Sequence, residues 1–301
     1  MNIFLCKILF LIIFDKWDLL LEIMKEFAES FMPYLKDFLL RISDVGQNLS
    51  SLLQDENNRN KRYVVGFDLL QRINANMGAV LYGFDRLFVN QKMLYKIPID
   101  LSLRTALGDT ITALYLLSLE DEIFEEEMSV IDRDFVKFLS IILPIRYEIG
   151  KKLFSHESIG TEQEYFDKYY SIYQDYLENG KGEPWQVKSL KKLRSEHNPF
   201  DKRCTIESMY KYLRNNKDSE LKDLATLYMH YRVLSQTEHY SFLGRSAKNI
   251  EIMNIYKEAI ISLVCAIQKM VVYLPLVDKQ VCDNLFALNI MDYLPDINKK
   301  E

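Results

Sequence analysis

A chain of 301 residues is long enough for one large helical domain or two small ones. Its 49% hydrophobic and 27% charged residues are those of a globular protein, and 10 Gly with 7 Pro are too few for the turns of a β-sandwich or barrel. A formal net charge of −5 excludes a uniformly basic nucleic-acid coat, though not a local basic patch.

In chain order, residues 3–14 (IFLCKILFLIIF) come first, apolar but interrupted by Lys7 and soon followed by Asp15, Lys16 and Asp18. They fall short of the ~20 apolar residues of a spanning helix. With no small-residue cleavage site and no positive charge before Lys7, they do not read as a signal peptide. A buried helix, or a native start at Met24, is expected ahead of an interfacial anchor, and membrane association is not expected. From Trp17 to about Leu53 the apolar residues Leu20, Ile23, Phe27, Phe31, Leu35 and Phe38 recur at helical spacing. QDENNRNKR (54–62) is a loop or helix start, and a second long helix is expected from Arg62 to Lys92. Ile97-Pro98 then punctuates, with Asp100 or Ser102 as the cap of a helix running to about Ser118.

The acidic stretch LEDEIFEEEMSVIDRD (119–134) reads as a solvated face or a first-turn cluster. Helices are expected over 134–155, where Pro144 kinks or ends a segment, and over 161–178. ENGKGEPW (178–185) is the clearest loop. Lys188, Lys191 and Lys192 follow it, and further helices are expected over 205–215, 218–240, 246–274 and 277–290. The fold class is therefore all-α, an irregular multi-helix bundle. It is either one continuous domain or two packed helical halves, 1–180 and 181–301.

The four cysteines, Cys6, Cys204, Cys265 and Cys282, lack metal spacing and read as ordinary thiols of the cytoplasm. The histidines are His156, His197, His230 and His239. With two at most on one helix and no HExxH, P-loop or dinucleotide fingerprint, no metal or cofactor is expected.

The segment 221–241 (LKDLATLYMHYRVLSQTEHYS) carries the functional signal. Read as one helix at ~100° per residue, it places Leu224, Ala225, Tyr228, Arg232, Ser235 and His239 within about 60° of Leu221. Lys222, Asp223, Thr226 and His230 keep to the outward arc. An arginine on an inward stripe needs an anion or a hydrogen-bonding partner. One reading makes Arg232, Ser235 and His239 a buried structural network of a non-enzymatic scaffold. The other takes Arg232-(VLSQTE)-His239 as a site. That R-x6-H pattern resembles the motif of HEPN proteins, small helical bundles that include metal-independent ribonucleases of defence systems. The resemblance covers about residues 205–275, and Val233 stands where those motifs commonly carry a polar residue. The wider run is also similar to bacterial all-helical families of uncharacterised activity that share a tyrosine–arginine…serine…histidine signature.

The HEPN resemblance implies that Arg232 holds the scissile phosphate and that His239 moves a proton at the ribose 2′-hydroxyl or the leaving oxygen. It also implies RNA or a nucleotide as partner, and a homodimer that brings two such pairs together. Guanidinium forks suit phosphate oxygens, and imidazole titrates near neutrality. Arg104, in the nearly all-apolar IDLSLRTALGDTITALYLLS, supplies a second phosphate contact or pairs with Asp109, Glu238 or another acid. Ser235, with Lys188, Lys191 and Lys192 on a shared face near Trp185, completes the candidate substrate-binding set, unless those lysines are simply solvated.

Overall fold

In the computed structural model the described residues are 3–55, 60–89, 93–153, 160–172, 205–224, 226–236, 249–289 and 292. They form an all-α bundle without a strand. The helices are α1 (Ile3–Gln54), α2 (Lys61–Phe84), α3 (Lys96–Leu117), α4 (Asp121–Leu153) and α5 (Glu162–Ile172). After these come α6 (Ile206–Arg214), α7 (Ser219–Leu224), α8 (Leu227–Ser235), α9 (Asn249–Val272) and α10 (Lys279–Phe286). Among the described residues, no helix is long and apolar enough to cross a membrane.

Two compact units divide the chain. One joins the first 118 residues to those from Tyr210 onward, and the other comprises Leu119–Met209.

In the first unit, α3 is the central element, packed by α2, α8 and α9. Its fourteen buried positions leave little of its circumference to solvent. Close approach of α2 to α3 depends on Gly83, where an added Cβ would stand 2.5 Å from Ile99 Cγ1. α3 begins at Lys96, so Ile97-Pro98 does not separate it from a later helix as expected. Pro98 sits in the first turn, where a missing N–H leaves no intrahelical bond unmade. Nor does Asp100 cap a helix. It is 1% exposed, accepts from the Tyr256 hydroxyl at 2.6 Å, and pairs with Lys96 Nζ at 2.9 Å. Burial, then the neighbouring Asp100 carboxylate, push the Tyr256 phenol well above its ordinary range.

Where caps are visible, local chemistry sets the helix ends. Asn60 accepts from Arg62 N at the start of α2, and Asp278 accepts from Gln280 N and Val281 N at the start of α10. In the second unit, Thr161 and Glu164 form a reciprocal capping box ahead of α5, with Thr161 N donating to Glu164 Oε2 at 2.7 Å and Glu164 N donating to Thr161 Oγ1 at 3.2 Å. The acidic run opens α4, with Asp121 and Glu122 in the first turn, and Pro144 does not end that helix. Pro33 likewise lies within α1.

Tyr256→Phe removes a buried hydrogen bond to a charged acceptor and is expected to lower stability by roughly 1.5–3 kcal/mol, read from urea unfolding. Gly83→Ala is expected to lower it by about 1–3 kcal/mol, because Ile99 must leave its place. A wild-type midpoint in both variants would contradict this account of the α3 interfaces.

Candidate functional site on α8

Over the described residues 221–224 and 226–236, the single helix expected across 221–241 is two helices. α7 ends at Leu224, and α8 starts at Leu227 after a turn at Thr226. Leu221 and Leu227 are both buried, yet six residues along one uninterrupted helix would set them about 120° apart. Breaking the helix lets both reach the core. The start of α7 is also tied to α9, since Lys269 Nζ lies 3.0 Å from Asp218 Oδ2 and 2.6 Å from Glu220 Oε2. No Gly or Pro marks the break, so the competing force is tertiary.

The break resets the helical phase. In α8 the buried side is set by Leu227 and Leu234, with Tyr231 and His230 half-buried beside them. Counting from Leu227, Arg232 points about 140° away and is exposed. Arg232 therefore does not lie on the inward stripe, and His230 is not on a fully outward arc. Among the described residues no carboxylate pairs with Arg232. The Ser235 hydroxyl donates to the Arg232 carbonyl at 2.7 Å, a local bond in the last turn rather than part of a buried network. His239, Lys188, Lys191, Lys192 and Trp185 lie outside the described residues.

Arg104 is half-buried on α3 and meets α8 directly. Its Nη2 donates to the Tyr231 hydroxyl at 3.2 Å, and its guanidinium carbon lies 5.1 Å from the centre of the Tyr231 ring. Asp109, one of the acids expected to pair with Arg104, instead pairs with Arg72 at 2.9 Å. Burial pushes the Asp109 carboxyl up, and Arg72 opposes that shift.

Three tyrosines extend the contact. Tyr228 stacks on Tyr210 of α6 with ring centres 4.3 Å apart and planes 13° from parallel. Tyr228 and Tyr231 lie 6.0 Å apart at 17°. Arg214 Nη1 reaches the Tyr210 hydroxyl at 3.5 Å. Sequence reasoning passed over Tyr210, Tyr231 and Arg214. Their signals were the i, i+3 spacing of Tyr228 with Tyr231 and the i, i+4 spacing of Tyr210 with Arg214.

The resulting flank of α8 carries Tyr228, Tyr231, Arg232 and Ser235 within about 100° of arc. Arg104 lies against it from α3, and Arg214 approaches through Tyr210. Such a surface can hold an anion at the guanidinium groups and a planar ring at the tyrosines. Among the described residues no cluster of His, Cys, Asp and Glu is arranged to hold a metal. Comparison with family models, curated proteins and solved structures finds no match to the chain.

Burial holds the His230 imidazole below its ordinary range, against an opposing pull from Glu258. The folded chain thus binds this proton less readily than the unfolded chain. Its contribution to stability is expected to be lost as pH falls below the unfolded value of about 6.5 toward the lower folded value. His230→Gln is expected to flatten that part of the profile. Urea midpoints at about pH 7.5 and about pH 5.5 measure it, and an equal drop in variant and wild type would assign the effect elsewhere.

Proposed function

We propose that the chain is a HEPN-like cytoplasmic protein of defence that binds RNA at the α8 flank and cleaves it without a metal, through Arg232 and His239. The observation that carries this reading is the exposure of Arg232 at the end of α8, with no carboxylate against it among the described residues. A guanidinium whose role is structural is expected to be sheltered and paired, as the buried scaffold network required. An exposed one on a flank shared with stacked tyrosines suits a phosphate.

In this reading Arg232 forks onto the non-bridging oxygens of the scissile phosphate. Neutral His239 takes the proton of the ribose 2′-hydroxyl. The 2′-oxygen then forms a bond to phosphorus while the bond to the 5′-oxygen breaks; water protonates the leaving oxygen, and the hydroxide so formed takes the proton from His239. The products are a 2′,3′-cyclic phosphate and a 5′-hydroxyl. Pairing of two chains as a homodimer is part of the proposal.

The test is RNA cleavage in EDTA. Wild type is expected to cleave, and Arg232→Ala or His239→Ala to slow cleavage about a hundredfold or more while the circular dichroism spectrum stays helical. Absence of cleavage and of RNA binding in wild type would return the chain to the class of helical scaffolds.

A further inference from the structure

We infer that the row Tyr210–Tyr228–Tyr231 is a stacking platform for the bases of single-stranded RNA, with Tyr210 as its open end. The inference rests on the reading of α8 as an RNA site and adds which form of RNA it accepts. Four observations carry it. The two ring pairs of the row are near-parallel, at 13° and 17°. All three tyrosines are half-buried, so none is sealed in the core. The Arg104 guanidinium lies over the Tyr231 ring, whereas among the described residues Tyr228 is the one ring stacked on Tyr210, and Arg214 reaches the Tyr210 hydroxyl without lying over its ring. Finally, Arg104 and Arg214 touch the two ends of the row through hydroxyl groups, and exposed Arg232 shares the α8 flank with Tyr228 and Tyr231.

This combination selects for an unpaired strand. Every base presents a π-face, so tyrosine stacking tolerates sequence but requires the base to leave its own helix. In a duplex those faces are buried against neighbouring pairs, and the deep major groove of A-form RNA excludes side chains. Positive charge spaced along the row matches phosphates that recur with each nucleotide. A peptide partner would not explain near-parallel rings interleaved with arginines as directly.

The experiment measures binding of the full chain to a fluorescein-labelled single-stranded 2′-O-methyl RNA 12-mer, which lacks the attacking hydroxyl and stays intact, and to the same strand annealed to its complement, by anisotropy at 4 °C. The wild type is expected to prefer the single strand. Tyr210→Leu is expected to weaken single-strand binding about five- to a hundred-fold, and Tyr210→Phe to restore it. Because stacking releases no counterions, Tyr210→Leu leaves the dependence of log affinity on log salt unchanged. Arg232→Gln lowers that slope by about 0.7, the value for one phosphate contact on a single strand. Tyr228→Leu repeats the test from the middle of the row, and thermal melts confirm that each variant is folded. Equal affinity for duplex and single strand, or wild-type binding by folded Tyr210→Leu, overturns the platform. If the latter occurs while Arg232→Gln still weakens binding, the RNA site on α8 stands and the platform alone falls. No RNA binding by wild type removes both.

Discussion

The structure depends on how α3 satisfies its polar groups within an apolar helix. Asp100, Arg104, Ile111 and Tyr115 fall within about 60° of one another around α3. Along that side, Asp100 accepts from Tyr256 of α9, Arg104 donates to Tyr231 of α8, and Tyr115 meets Tyr212 of α6 edge-on at 5.1 Å. On this side of α3, Asp100, Arg104 and Tyr115 are thus each met by a tyrosine from the C-terminal half of the chain, whereas Asp109, elsewhere on the helix, pairs with Arg72. A tyrosine suits the role because its ring adds apolar contact while its hydroxyl pairs with a charge. The acidic anchor is sealed by Lys96, and the basic one is left half-buried.

That asymmetry links the core to the surface. Asp100 is fully enclosed, so its work is to fix α9 on α3. Arg104 lies one helical turn further along and holds Tyr231 with both a hydrogen bond and its ring face. Holding Tyr231 fixes the rotation of α8, and that rotation turns Arg232 outward while Leu227 and Leu234 fill the core. Burial of Leu227 and Leu234 against the core sets the same phase. Lys269, itself half-buried, does comparable work at the start of α7, where it ties half-buried Asp218 and exposed Glu220 to α9.

Much of the helical pattern was legible in the sequence, because periodic apolar residues and the scarcity of Gly and Pro leave few alternatives. Phe31, Leu35 and Phe38 are buried as their spacing predicts. What the sequence hid was phase. LKDLATLYMHYRVLS contains no Gly or Pro, and nothing local distinguishes one helix from two. Because each residue advances the direction by about 100°, an unseen break moved Arg232 from the inward stripe to the surface. Pro98 misled in the opposite sense, since a proline inside a first turn starts a helix as readily as it separates two. The pairing of Arg104 with Tyr231 rather than Asp109 was hidden as well, for partners 127 residues apart leave no local trace.

Taken together, the α3 anchors present a flank of α8 where arginines and tyrosines alternate, and the account stands on nucleic acid meeting that flank. The most direct measurement is ultraviolet cross-linking of the full chain to a uridine-rich single-stranded RNA, with modified peptides located by mass spectrometry. The account predicts adducts on the peptides carrying Tyr210, Tyr228 and Tyr231. Adducts confined to other parts of the chain, such as the acidic stretch of α4 or the peptide around Trp185, would contradict it.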